Sequence, residues 1–108
     1  MKRGDIVIVA MRGDYGKPRP ALVVQSDLFE QHPSVTVAPI TSDVRSELPL
    51  FRLDLPPSET NGVHRPSQVM IDKLVTVPRH KISSTVGHVN DTDMVRVTRA
   101  LMVWLGVA

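Results

Sequence analysis

The sequence predicts a mainly β domain, a strongly bent antiparallel sheet or partial barrel that is closed by one C-terminal helix. Short runs of β-branched residues recur along the chain, and the last segment has the apolar spacing of a helix. A chain of 108 residues is long enough for one modest core. We therefore treat residues 1–108 as a single domain.

The first two predicted strands form a hairpin. Residues 6–10 are nearly all β-branched, which is typical of a strand buried on both faces or lining a small barrel. Residues 21–25 form the second apolar run, and the glycines between the two runs indicate a turn. The loop of this hairpin therefore carries Asp14, Tyr15, Lys17 and Arg19, and loops on a rigid scaffold commonly hold binding residues.

The middle of the chain continues with short strands. Composition predicts them at residues 35–40, 50–55, 67–71, 74–77 and 83–89. Ser26 or Asp27 can cap a short helical turn after the second strand. Pro39 lacks an N–H and is expected at the end or edge of its strand.

The closing helix is predicted from its caps and its apolar face. Asn90 or Asp91 can accept a hydrogen bond from the first turn, and Gly106 is the expected end. One face carries apolar residues at helical spacing, namely Met94, Val97, Leu101 and Trp104. This face is expected to pack on the sheet.

Composition limits the possible functions. The net charge of +2 permits a nucleic-acid partner without requiring one. The absence of cysteine excludes a disulfide scaffold and a thiolate metal site. No segment has the length and hydropathy of a signal peptide or a membrane span, so the cytoplasm is the expected location. A domain of this size often buries a face against a copy of itself, which makes a homodimer the expected assembly.

Arg19 is the first candidate site residue. Pro18 and Pro20 fix φ on either side of it, and Pro20 also favours an extended conformation at Arg19. A guanidinium held on stiff backbone can bind phosphate, because its donors form a planar fork that matches phosphate oxygens. The alternative interpretation is a surface arginine with a partial packing role.

Two further candidate sites, with three residues between them, follow predicted strands. The hydroxyls of Thr41 and Ser42 could bind a phosphate oxygen or orient a 2′-hydroxyl, although they could also begin an ordinary turn. Asp72 ends an apolar strand, where a carboxylate can have a raised pKa and serve as a base. The alternative for Asp72 is a strand-end salt bridge with Lys73 or a turn cap.

The sequence lacks the motifs of nucleotide-binding and metal-dependent enzymes, so any reaction is expected to proceed without a metal ion. There is no glycine-rich phosphate loop before a helix, and the four histidines have no paired spacing for a metal. RNA can be cut without a metal when a base removes the proton of the 2′-hydroxyl and cations stabilise the charge that develops on the phosphorus oxygens. Arg19, Thr41 and Asp72 could supply such catalytic groups.

Further polar residues could contact single-stranded RNA. The residues proposed for RNA binding are Lys17, Ser42, Tyr15, Arg79 and Lys81. Cationic side chains can follow the phosphates, and an aromatic ring can stack on a base. The alternative for each charged residue is a solvated surface position.

Several segments occur in an order that resembles one toxin family. They are residues 2–7, 19–25, 39–42, 67–72 and 73–77, followed by the helix end at residues 104–106. Over nearly the whole chain this order resembles the MazF/PemK (Kid) family of toxin endoribonucleases. The resemblance implies the SH3-like barrel of the CcdB/MazF toxins, a homodimer and no cofactor. It also implies a metal-independent mRNA interferase of a type II toxin–antitoxin system, neutralised by a cognate antitoxin.

The resemblance also assigns residues. Arg19 and Thr41 match active-site positions of the family, and Asp72 matches an aspartate that the Kid-like branch uses. Met70 stands where that branch has an arginine, and the short first loop, Asp14-Tyr15-Gly16-Lys17, has neither the His-Glu nor the Glu-Gln pair that many relatives carry before the Arg-Pro step. These differences put cleavage specificity and catalytic efficiency in question.

Two alternative functions stay open at this point. A gyrase poison of the CcdB type has the same fold and uses a tryptophan near its C-terminus, for which Trp104 is the counterpart. A relative that has lost catalysis would bind RNA or antitoxin without cutting. The absence of the loop residues and the presence of Met70 favour this last alternative.

Overall fold

A computed structural model describes residues 1–10 and 17–108. Seven strands lie in these ranges, namely β1 (Asp5–Ala10), β2 (Pro18–Val23), β3 (Ser34–Thr41), β4 (Arg52–Leu55), β5 (Ser67–Met70), β6 (Val75–Pro78) and β7 (Ile82–His88). They are followed by one helix, α1 (Asp91–Leu105). Short 3-10 turns occupy Asp27–Phe29, Ile71–Lys73 and Arg79–Lys81. This arrangement confirms the predicted mainly β class with a closing helix.

The strands form one bent antiparallel sheet in the order β4-β5-β3-β2-β1-β7, with β6 also pairing with β3. On one side β3 pairs with β2, and on the other it pairs first with β6 at residues 34–37 and then with β5 at Ile40 and Thr41. Pro39 lies at this change of partner. Its missing N–H therefore falls where no ladder bond to β5 or β6 is required, although β3 is not an edge strand.

β2 begins earlier than the sequence indicated. Pro18 and Pro20 already belong to the strand, opposite Ala10 and Ile8 of β1. Proline is tolerated here because β3 pairs only with residues 21–23 of β2. The proline half of the strand has a ladder partner on one side alone, as an edge strand does.

The bent sheet buries side chains on both faces. The larger cluster packs against α1 and contains Ile6, Leu22, Val24, Ala38, Ile40, Leu55, Val69, Ile71, Val89, Val97 and Ala100. The smaller cluster contains only valine and alanine, namely Val7, Val9, Ala21, Val23, Val35, Val37 and Val77. Alternate residues of β1 point to opposite faces, with Ile6 in the larger cluster, Val7 and Val9 in the smaller one, and Ile8 lining a cleft on the side of Ile6. This explains why the sequence of β1 is a continuous apolar run.

The caps of α1 are those that the sequence predicts. The side chain of Asn90 accepts a hydrogen bond from the N–H of Asp93 at 2.8 Å, and Gly106 ends the helix with φ +76°. Arg3 ties the helix to the sheet, because its guanidinium donates to the carbonyl of Val24 and to the hydroxyl of Thr98, each at 3.0 Å. Val97 is buried, whereas Trp104 at the far end is 48% exposed and packs against Phe51 with ring centroids 5.8 Å apart.

The loop between β4 and β5 is held by a buried asparagine. Asn61 is 3% exposed, and its carbonyl oxygen accepts hydrogen bonds from the N–H groups of Ser58 and Val63. Its amide donates to the carbonyl of Pro56 at 2.9 Å. The N–H of His88 in turn donates to the carbonyl of Thr60, so this loop is fixed directly to the edge strand β7.

Among the described residues, no helix is both long enough and apolar enough to span a membrane.

Candidate active site

The main cavity of the described structure is an open cleft of about 630 Å³. It lies where β2 begins and β3 ends, with a third wall formed by the segment that leads into β5. Its polar lining residues are Arg19, Thr41, Ser42, His64, Arg65 and Ser67. The remaining lining is mostly apolar and includes Met70 on β5 and Val86 on β7. Two cationic side chains and several hydroxyls thus surround a space that is open to solvent.

The strand register explains how Arg19 meets Thr41. β2 and β3 are antiparallel, with Ala21 opposite Pro39. Continued by two residues, the same register places Arg19 opposite Thr41 at one end of the ladder. Both residues line the cleft, and Arg19 is exposed while Thr41 is half-buried. The structure therefore brings together the first two catalytic candidates, which lie on different strands.

Thr41 begins a hydrogen-bonded turn and keeps a donor for a ligand. Its hydroxyl oxygen accepts the N–H of Asp43 at 3.0 Å. A hydroxyl has one donor and two acceptor positions, so the O–H of Thr41 remains able to donate to a phosphate oxygen. The turn interpretation and the binding interpretation are therefore compatible.

A buried glutamine fixes the loop that follows Thr41. Gln68 is 2% exposed and lies opposite Thr41 in the β3–β5 register. Its carbonyl oxygen accepts the N–H of Arg45 at 2.9 Å, and its amide donates to the carbonyl of Arg45 and to the carboxylate of Asp54. The N–H and the carbonyl of Arg45 are thus both hydrogen-bonded to Gln68, and Thr41 is held in β3. The short segment between them, which carries Ser42, is therefore fixed at both ends.

Asp72 does not line this cleft. It lies in the 3-10 turn after β5, where its two carboxylate oxygens accept hydrogen bonds from the guanidinium of Arg52 at 2.8 and 3.0 Å. Each side chain of the pair is 13% exposed. The hydrogen bond from Arg52 outweighs burial and lowers the pKa of Asp72. The expected raised pKa is therefore wrong, and the partner is Arg52 on β4 rather than Lys73.

The other residues proposed for RNA binding are not all at the cleft. Arg79 donates twice to the carbonyl of His32, at 3.0 and 2.8 Å, so it holds the turn before β3. Neither Arg79 nor Lys81 lines the cleft. Lys17 is exposed directly before β2. Tyr15 lies outside the described residues.

The comparison with known proteins decides the family. The model of the family described as "PemK-like, MazF-like toxin of type II toxin-antitoxin system" matches residues 2–105. The chain belongs to this family. The match confirms the resemblance found in the sequence, and with it the assignment to toxins that include endoribonucleases.

Individual relatives agree with this PemK/MazF-like assignment. The chain is 48% identical over 109 residues to the probable endoribonuclease MazF of Mycolicibacterium smegmatis, covering 100% of this chain and 99% of the relative. It is 26% identical over 114 residues to the endoribonuclease EndoA of Bacillus subtilis, covering 99% and 96%. The solved structure of Mycobacterium tuberculosis toxin MazF-mt6 superposes with a TM-score of 0.81 at 25% identity, covering 96% of this chain and 98% of the toxin. These similarities cover 96–100% of this chain.

In this PemK/MazF-like chain, the site residues assigned from the sequence do not include His64 or Arg65, although Arg65 belongs to the basic residues that could line an RNA groove. Both line the cleft, but they precede a strand in a segment without a recognisable motif. The pairing of Thr41 with Gln68 could have indicated them. In an antiparallel pair, the residues that lead into one strand lie near the residues that leave the other, so the segment before Ser67 must reach the end of β3.

The described residues contain no group of three or more His, Cys, Asp or Glu side chains that could hold a metal ion. The cleft of this PemK/MazF-like chain offers guanidinium, hydroxyl and imidazole groups instead.

We expect Asp72→Asn to reduce stability at neutral pH by about 2 kcal/mol, because it weakens a pair of charge-assisted hydrogen bonds to a largely buried guanidinium. The lowered pKa of Asp72 means that the wild-type contribution is fully present above the ordinary carboxyl value of 3.8 and is lost as the pH falls through the lower folded-state pKa. Urea unfolding at pH 7 and in acid should therefore show a difference between variant and wild type that shrinks in acid.

The same variant tests the catalytic interpretation of Asp72. Folded Asp72→Asn protein is expected to cut RNA at nearly the wild-type rate. A loss of cleavage of about 100-fold without a change in stability would restore Asp72 as a base.

Proposed function

We propose that this chain is the toxin of a type II toxin–antitoxin pair and cuts single-stranded RNA, including mRNA, in the cytoplasm without a metal ion. The observation that carries the proposal is the cleft in which the strand register brings Arg19 to Thr41. The family and the endoribonuclease names of the relatives support the same activity. Cleavage in mRNA would stop translation and growth.

The residues of the cleft suit a phosphoryl transfer within RNA. The 2′-oxygen attacks the adjacent phosphorus, the bond to the 5′-oxygen breaks, and the products are a 2′,3′-cyclic phosphate and a 5′-hydroxyl. Arg19 stabilises the charge on the non-bridging oxygens with its planar donors. Thr41 donates its hydroxyl to the same phosphate, and Ser42 beside it contacts the ribose or the neighbouring phosphate.

The charge of the cleft suits an RNA strand that enters along its rim. Arg19 and Arg65 face the cavity, and Lys17 lies directly before β2. Cationic side chains attract the phosphates of a nucleic acid without reading its base sequence. Specificity for a base sequence therefore belongs to the apolar and hydroxyl lining, which includes Met70 and Ser67.

Two protein partners follow from the family and from the exposed surface. A solved relative is described as an endoribonuclease in complex with its cognate antitoxin, and we propose an antitoxin with an acidic segment that covers the basic cleft. The last turns of α1 expose Val103, Trp104 and Leu105 by 48–63%. We propose that a second copy of the chain covers this apolar surface, because contiguous exposed apolar residues mark protein interfaces.

The test is cleavage of a long single-stranded RNA by the purified protein in excess EDTA. We expect discrete fragments that end in a 2′,3′-cyclic phosphate and begin with a 5′-hydroxyl. Intact RNA from a folded protein that still arrests growth would contradict the proposal and direct attention to gyrase and to Trp104. Intact RNA from a folded protein that does not arrest growth would indicate a non-catalytic relative.

A further inference from the structure

The cleft contains one side chain type that the proposed mechanism has not used. RNA cleavage by the 2′-hydroxyl needs a group that accepts a proton at neutral pH. A guanidinium has no acceptor and keeps its proton, and serine and threonine hydroxyls do not act as bases by themselves. Among the described residues that line the cleft none carries a carboxylate, and His64 carries the one imidazole.

We infer that His64 is the general base that removes the proton of the attacking 2′-hydroxyl. This inference rests on the proposed RNA cleavage at the same cleft. The imidazole nitrogen takes the proton as the 2′-oxygen bonds to phosphorus, the bond from phosphorus to the 5′-oxygen breaks, and the 5′-oxygen takes a proton from water. The imidazolium then returns its proton to solvent, so the enzyme is restored without a further reactant.

The backbone that presents His64 is held on both sides. Asn61 accepts the N–H of Val63 at 3.0 Å, immediately before His64. Gly62 has φ +70°, and a Cβ there would collide with the backbone carbonyl of Val86 on β7. After His64, the hydroxyl of Ser67 donates to the carbonyl of Arg65 at 2.9 Å. An exposed imidazole on such a constrained segment can act at a defined position.

The charged and polar groups around His64 decide how a pH dependence of the cleavage rate can be interpreted. Arg65 lies next to it in the chain, and Arg19 on β2 shares the cleft. From the other elements that line the cavity, β3 presents Thr41, β5 presents Met70 and β7 presents Val86, none of which is charged. A change of rate with pH that depends on His64 is therefore not a property of a neighbouring carboxylate among the lining residues.

The test compares His64→Ala with the wild type in single-turnover cleavage of an RNA oligonucleotide in EDTA. We expect the rate at pH 7 to fall by about 100-fold or more, and the acid limb of the pH–rate profile to disappear. Binding of the same oligonucleotide with a 2′-deoxy sugar at the cleavage position should change by no more than about a factor of two, because the base acts on the transition state. Added imidazole should restore part of the rate.

Two controls separate a catalytic role from a structural one. His88→Ala removes an exposed imidazole that does not line the cleft, and it should leave both rate and profile unchanged. A substrate with sulfur in place of the 5′-bridging oxygen has a leaving group that needs no acid. The deficit of His64→Ala should persist on this substrate, whereas full recovery would identify an acid and overturn the assignment as base.

Two other outcomes would exclude His64 as the base and still leave the proposed RNA cleavage in place. A His64→Ala variant that cleaves at the wild-type rate excludes the role. Loss of the acid limb in Asp14→Asn, with the limb retained in His64→Ala, places the base in the first loop instead. Failure of the wild type to cut RNA is a different result, because it contradicts the proposed function itself.

Discussion

Replacing Arg19 by alanine is expected to slow RNA cleavage in EDTA by about 100-fold or more and to relieve growth arrest. Arg19 lines the cleft together with Thr41, and in the proposed reaction its guanidinium stabilises the charge that develops on the phosphate oxygens. Removing one such donor from a preorganised site typically costs about 100- to 1,000-fold in rate. Arg19 is exposed, so the folded state should survive, and unfolding by urea should show a midpoint close to that of the wild type.

The matched control is Arg96→Ala, which removes the same charge from α1. Arg96 pairs with Asp93 at 2.9 Å and does not line the cleft, so cleavage should be unchanged. Arg19→Lys keeps the charge but loses the planar fork, and it should recover only part of the lost rate. Full toxicity and full cleavage in folded Arg19→Ala protein would show that the reaction takes place elsewhere.

The substitution Gly87→Ala is expected to destabilise the fold more than the replacement of an exposed side chain does. A Cβ on Gly87 would lie 2.5 Å from the carbonyl oxygen of Asn61 and 2.6 Å from that of Thr60. Both contacts are to backbone, so no side chain can move aside, and the β4–β5 loop must separate from β7. We expect a loss of about 3 kcal/mol or more, and a Tm lowered by more than about 10 °C.

A second glycine provides the comparison for this effect. Gly106 has φ +76° with no atom near the position of a Cβ, so Gly106→Ala should cost only about 1 kcal/mol through backbone strain. Thermal unfolding followed by circular dichroism measures both variants. Equal losses for the two variants would mean that the loop does not need its close approach to β7.

Local signals in the sequence predicted the parts of the fold that depend on local chemistry. Ser26 accepts the N–H of Leu28 as the expected cap of a short turn, and Asn90 caps α1. These features need only neighbouring residues, so residue type and spacing are sufficient to predict them. The start of β2 was missed because proline prevents a ladder hydrogen bond only on the side to which its nitrogen points. The sequence does not show that residues 18–20 pair with β1 alone.

The candidate site was only partly predictable for a related reason. Arg19 and Thr41 could be named from residue type and from the family, but their meeting depends on the β2–β3 register. The Arg52–Asp72 pair joins residues that the β4–β5 register brings together, since Arg52 lies opposite Met70. His64 has no motif, and it becomes a candidate only once β5 is placed beside β3.

The position of β1 has a consequence for the order in which the protein can fold during synthesis. β1 pairs with β2 early in the chain, but its other edge pairs with β7, and the N–H of Val89 donates to the carbonyl of Gly4 at 2.8 Å. Closing contacts of such large sequence separation slow folding, because the intervening chain must first be ordered. Until the ribosome has translated β7, which begins at Ile82, the sheet therefore lacks one edge strand. The finished cleft, with its wall anchored to β7, forms only after the chain is nearly complete.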